Sequence, residues 1–153
     1  MGLYMRAVVL DWEERSIDDL VAFASENERE LRLFFPRERN WREFEVHDED
    51  GQAILEGDLA MVGQDELASG EVKELTDSLA GLDGASERLD RVRDHLASAH
   101  AIVALRILPS GYDAAVDAAN VIFWFLEQRP GVLAQIDGVG WYDHDQLILS
   151  GSA

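Results

Sequence analysis

An order of short apolar run, helix, second run and hairpin occurs twice along this chain, over about residues 5–58 and about 101–151. In the first copy, Met5 to Trp12 (MRAVVLDW) is apolar and bounded by charge, the mark of a buried strand. Ser16 with Asp19 three residues on resembles a capping box, with Asp in place of Glu or Gln. Ile17, Leu20, Val21 and Ala24 then recur at the spacing of one helix face. Leu31 to Phe35 is a second run, closed by Pro36, which has no N–H to give a ladder. Trp41, Phe44 and Val46 lead to the turn Asp48-Glu49-Asp50-Gly51, from which Ala53, Ile54 and Leu55 return. This is a hairpin signal, because Asp-Gly supplies the positive φ angles that tight turns need.

The second copy follows the same order. Ala101 to Leu108 (AIVALRIL) reads as a strand, and Pro109-Ser110-Gly111 as a turn. Asp113 to Arg129 reads as a long helix stopped by Pro130-Gly131, and Val132 to Ile136 as a strand. Gly140-Trp141-Tyr142 runs to the turn Asp143-His144-Asp145, and Leu147-Ile148-Leu149 returns. The local echo is HDEDGQAILEG beside YDHDQLILSG. It reads either as an internal duplication or as chance recurrence of common turn chemistry. Between the copies, about residues 64–99 form a helical connector. There Val72, Leu75, Leu79 and Leu82 keep helical spacing, and Gly81–Ala85 form a loop. Ser86 caps a second helix with Leu89, Val92, Leu96 and Ala99 on its apolar face.

The expected fold is therefore α+β: two β-α-β-β-like units joined by a helical segment, making a mainly antiparallel sheet with helices on one face. The 153 residues suit one domain, spanning 1–153, with a hydrophobic core. A duplicated unit would leave a broad sheet or groove between its halves as a binding surface. No apolar run reaches the roughly eighteen residues that span a bilayer, and the start does not read as a secretory signal. There is no cysteine, which excludes disulfides, thiolate nucleophiles and cysteine zinc sites and fits a reducing compartment.

Charge is the most unusual global feature. The chain has 31 acidic and 13 basic residues, a formal net charge of −18. The excess is spread along the sequence and is not a tail. Such a field repels nucleic acid and anionic membranes and attracts cationic proteins. It also reads, more plainly, as an aid to solubility or a mark of habitat.

Catalytic and metal motifs are missing. The histidines His47, His95, His100 and His144 form no HxxxH or HExxH pair. The turns at Asp48 and Asp143 offer oxygen and imidazole ligands but no EF-hand spacing, so each reads as a solvated hairpin turn. Ser110 lacks a nucleophile-elbow frame, and Gly138 and Gly140 lack a third glycine opening a helix. No cofactor is called for. Arg37, Arg39 and Arg42 around Trp41 alternate with Glu38 and Glu43, which reads as a solvated loop. In the long helix, Val121 to Leu126 is apolar on all sides, as a core helix or one meeting another chain is.

The run AANVIFWFLEQRPGVLAQIDGVGWYDHDQLIL, a helix leading into a hairpin, resembles bacterial immunity proteins that neutralise secreted polymorphic toxins, together with related uncharacterised bacterial proteins. The resemblance lies in the C-terminal third. It implies a small cytoplasmic protein that occludes a toxin and catalyses nothing; it carries over no binding residues. The expected function is accordingly a non-catalytic acidic protein that binds a basic protein partner, with a homodimer also open. Alternatives are a nucleic-acid mimic, and a small-ligand or enzyme domain with a site between the halves. Candidate partner contacts are Asp48, Glu49 and Asp50 in the first turn, Trp124 on the long helix, and Trp141, Tyr142, Asp143 and Asp145 at the second turn.

Overall fold

A computed structural model of the chain describes residues 3–13 and 15–151. The first unit supplies β1 (Leu3–Val9), α1 (Ile17–Glu26), β2 (Arg32–Phe34), β3 (Glu43–His47) and β4 (Ala53–Met61). The connector supplies α2 (Glu66–Ser78), a short 3-10 turn at Leu79–Gly81 and α3 (Ser86–Ala97). The second unit supplies β5 (Ala101–Ile107), a 3-10 turn at Pro109–Gly111, α4 (Tyr112–Leu126), β6 (Val132–Ile136), β7 (Gly140–Asp143) and β8 (Gln146–Ser150).

The described strands form one eight-stranded antiparallel sheet in the order β2-β3-β4-β5-β1-β6-β7-β8. The α+β class and the antiparallel pairing are as the sequence predicts. The two units are interleaved. β5 lies between β4 and β1, and β1 lies between β5 and β6, so each unit's first strand is paired on one side with the other unit's meander. The halves therefore share one continuous sheet and do not lie side by side. Nor does the sheet order relate the copies by simple symmetry. The first unit puts the last strand of its meander, β4, next to the central pair β5–β1, while the second puts the first strand of its meander, β6, there. The matching order of elements does not extend to matching positions in the sheet.

Both faces of the central strands carry helices. On one face Ala7 and Val9 of β1, Val103 and Leu105 of β5 and Leu55 of β4 pack under Leu20 of α1 and Ile122 and Leu126 of α4. On the other, Val8, Ile102 and Leu133 pack with Leu75, Leu79, Val92 and Leu96 of the connector. The strict alternation of Ala7, Val8 and Val9 between the two cores is the period-two pleat of a strand buried on both sides. The expected single helical face is thus right for the unit helices α1 and α4, while the connector occupies the opposite face. Each large aliphatic side chain buried this way contributes about 1.5–3 kcal/mol.

Ends of elements follow local chemistry. Ser16 Oγ accepts from Asp18 N–H at 3.1 Å, so the predicted cap of α1 is present. At α3 the cap position is Ala85 rather than the expected Ser86, which is the first helical residue and makes no side-chain cap bond. α4 stops at Leu126, three residues before the expected Arg129. Gly140 has φ +140°, and a Cβ there would collide with the Leu149 carbonyl across the β7–β8 pair, so the strand needs glycine at that point. No helix among the described residues is long and apolar enough to cross a membrane.

Candidate functional site: a cleft beside the second hairpin

The apolar run on α4 is not buried on all sides. Val121, Ile122, Phe123, Phe125 and Leu126 are buried, but Trp124 is 44% exposed. Its ring is held edge-on against Phe23 of α1, with centroids 5.0 Å apart and planes at 81°. α4 lies over the central strands, and β6–β7 extend beyond it. A cleft of about 640 Å³ opens in that step. Asn120, Phe123, Trp124 and Glu127 form its helix wall, and Ala134, Ile136, Tyr142, His144 and Asp145 form its strand wall and rim.

The rim is acidic and organised by the Asp143–Asp145 turn. His144 takes φ 57°, the left-handed conformation that lets a two-residue turn close. The Asp143 carboxylate accepts from His144 Nδ1 at 2.9 Å and from Arg91 at 2.6 Å. The His144 hydrogen bond and then the Arg91 guanidinium hold the Asp143 carboxyl below its usual range. The same bond, with the Glu127 and Asp143 charges, raises the His144 imidazole above its ordinary value. Glu127 sits where α4 ends. Burial raises its carboxyl, and His144 opposes that rise while the Asp143 and Asp145 charges add to it. Carboxylates that repel one another over an aromatic floor favour an added cation, through the ring faces as well as through charge.

Of the eight residues expected to meet a partner, the structure brings Trp124, Tyr142 and Asp145 into this cleft, with Asp143 at its border. Trp141 is a core residue, 1% exposed, because consecutive strand residues face opposite sides and Tyr142 takes the open one. Asp48, Glu49 and Asp50 lie elsewhere. The β3–β4 turn is at the end of the sheet where β5 finishes, whereas the β7–β8 turn is at the end where β1 finishes. The Asp48 carboxylate is committed to its own turn, accepting from Asp50 N–H and Gln52 N–H at 2.9 Å each. Sequence reasoning missed Glu127, Asn120 and Phe123. Their signal was present: 120, 123, 124 and 127 share one helical face with Trp124.

A second polar feature was not anticipated at all. Arg6 of β1 donates from Nε to Glu71 at 3.0 Å and from Nη1 to Gln135 and Asp137, each at 2.7 Å. It ties the sheet centre to α2 beside a groove that also holds Asp58. Loss of water in that groove, then the Glu71 and Glu43 charges, push the Asp58 carboxyl up to about 6, against the pull of Arg6.

His95 and His100 serve structure. His95 Nε2 donates to the Val8 carbonyl at 2.8 Å, and burial lowers its pKa, which keeps it neutral. His100 Nδ1 accepts from Trp12 N–H at 2.9 Å. Among the described residues no group of three or more His, Asp or Glu is placed to hold a metal ion. Comparison of the chain with protein-family models, with curated proteins and with solved structures finds no match.

Proposed function

We propose that this chain is a non-catalytic, cytoplasmic inhibitor of the immunity kind, which binds a basic protein through the cleft between α4 and the β7–β8 hairpin. The observation that carries the reading is the pairing of an aromatic floor, exposed Trp124 and half-buried Tyr142, with a rim of Glu127 and Asp145. An arginine or lysine of the partner gains from both: its stem and charge lie over the rings, and its head meets the carboxylates. The net charge of −18 adds long-range attraction. Most arginines are already neutralised within the chain, among them Arg6, Arg32, Arg39, Arg42, Arg91 and Arg129. The surplus carboxylates are left to face outward.

Trp124 supplies the test. The other three tryptophans, Trp12, Trp41 and Trp141, are buried, so a quench or blue shift on adding an arginine-rich peptide reports the cleft. The basic partner recovered by capture at low salt is then titrated. Its association rate falls steeply as salt rises. Trp124→Ala weakens it by at least about 2 kcal/mol, as loss of a central aromatic anchor does. A rate indifferent to salt, or a Trp124→Ala variant of unchanged affinity, refutes the reading.

A further inference from the structure

We propose that a recess on the other flank of α1 binds a small organic monocarboxylate with an apolar body, taken by Arg15. The recess measures about 670 Å³ and lies between the start of α1, the 35–42 loop and the end of β4. Its polar wall is Arg15, Ser16, Arg39, Asn40 and Arg42, and among the described residues no carboxylate lines it. In a chain of net charge −18 a wall made of cations is the exception. Its apolar wall includes Trp12, Trp41 and Met61.

Arg15 differs from its two neighbours. Arg39 is ion-paired to Asp18, and Arg42 to Asp65 at 3.2 Å, so those guanidiniums are held and largely neutralised. The Arg15 guanidinium instead lies over the rings of Trp12 and Phe125, 5.5 and 5.2 Å from their centroids. Its backbone is fixed by the Trp41 indole, whose Nε1 donates to the Arg15 carbonyl at 3.1 Å. Its Nε is buried, and among the described residues nothing accepts from it. With Nε closed to solvent, a carboxylate in the recess meets the terminal nitrogens of the fork, and it supplies the ion-pair partner that Arg15, unlike Arg39 and Arg42, lacks among the described residues. Burial and the nearby Arg129 charge both penalise the Arg15 cation, a penalty an anion relieves.

Ligand class follows from the same walls. The indoles and Met61 call for an apolar body, and the volume suits a single-ring acid rather than a polymer. The field of the whole molecule opposes anions in proportion to their charge, which disfavours phosphates and polyphosphates relative to one carboxylate.

The test uses benzoate, its neutral analogue benzamide and inorganic phosphate, followed by calorimetry on the intact chain. Benzoate is expected to bind saturably, and benzamide at least about tenfold more weakly because it lacks the charge. Phosphate at equal concentration is expected not to displace benzoate. Arg15→Gln abolishes benzoate binding in protein whose thermal melt remains cooperative. Arg39→Gln, on the exposed loop, weakens it by a smaller factor and covers the case in which Arg15→Gln does not fold. Trp124→Ala leaves it unchanged, which separates this recess from the protein-binding cleft. Equal binding of benzamide, displacement by phosphate, or a folded Arg15→Gln variant with full benzoate affinity each overturns the proposal.

Discussion

Asp58 illustrates how one side chain sets a pH response. It lies opposite Ala104 of β5 and Glu43 of β3 in the ladder, in the groove with Arg6 and Glu71. Its carboxyl titrates at about 6 in the folded chain, above the ordinary 3.8. The folded state thus holds this proton more tightly than the unfolded one. The stabilisation is complete below the unfolded value and is lost as pH rises through about 6. Asparagine imitates the protonated form. Asp58→Asn is therefore expected to raise the melting temperature at pH 7 and to have almost no effect at pH 3.5. Equal shifts at both pH values in parallel melts would show that the groove does not penalise the ionised carboxylate, through loss of water or through its neighbours' charge. Arg6 works against the effect from the same groove, so its network with Glu71 and Asp137 limits how far Asp58 is raised.

At the scale of elements, α4 is the member on which one core depends. Leu126 is fully buried at its last turn, among residues of α1 and the central strands. Leu126→Ala is expected to cost about 2–5 kcal/mol in denaturant unfolding, the range for a leucine removed from a close-packed interior. A loss under about 0.5 kcal/mol would place the side chain outside the core. Elements were the legible part of the sequence. The Asp48–Gly51 and Asp143–Asp145 turns, the Ser16 cap and the run at Ala101 all carry local chemistry, and each appears where that chemistry puts it. One local reading failed for a physical reason. Ser86 entered the helix because the preceding backbone turned at Ala85. Trp124, read as a partner contact on a helix that was either core or interface, lies outside the core because the fifteen-residue helix turns one position of its apolar run to water. The cleft was half legible. Trp124 and Tyr142 stood out as aromatics, but their meeting depends on β6 pairing with β1, a contact between residues more than a hundred positions apart. The Arg15 recess was hidden for the same reason, since its walls come from β4 and from both ends of α1's flanking loops.

For the whole molecule, the strand order makes a claim about cooperativity. The break between β4 and α2, at Gly63, leaves the first piece with β1 but without either of that strand's neighbours, β5 and β6. The second piece likewise holds β5 without β4 and β1. Separately purified pieces 1–63 and 64–153 are expected to be largely unfolded by circular dichroism and to recover native-like spectra on mixing at one to one. Cooperative melting of either piece alone would contradict the interleaving. The same order has a consequence during translation. β1 gains one partner when β5 has been made and its second only when β6 has, so until then one edge of it stays open. A nascent chain halted before β6 would carry that open edge of β1, a template for pairing with another chain.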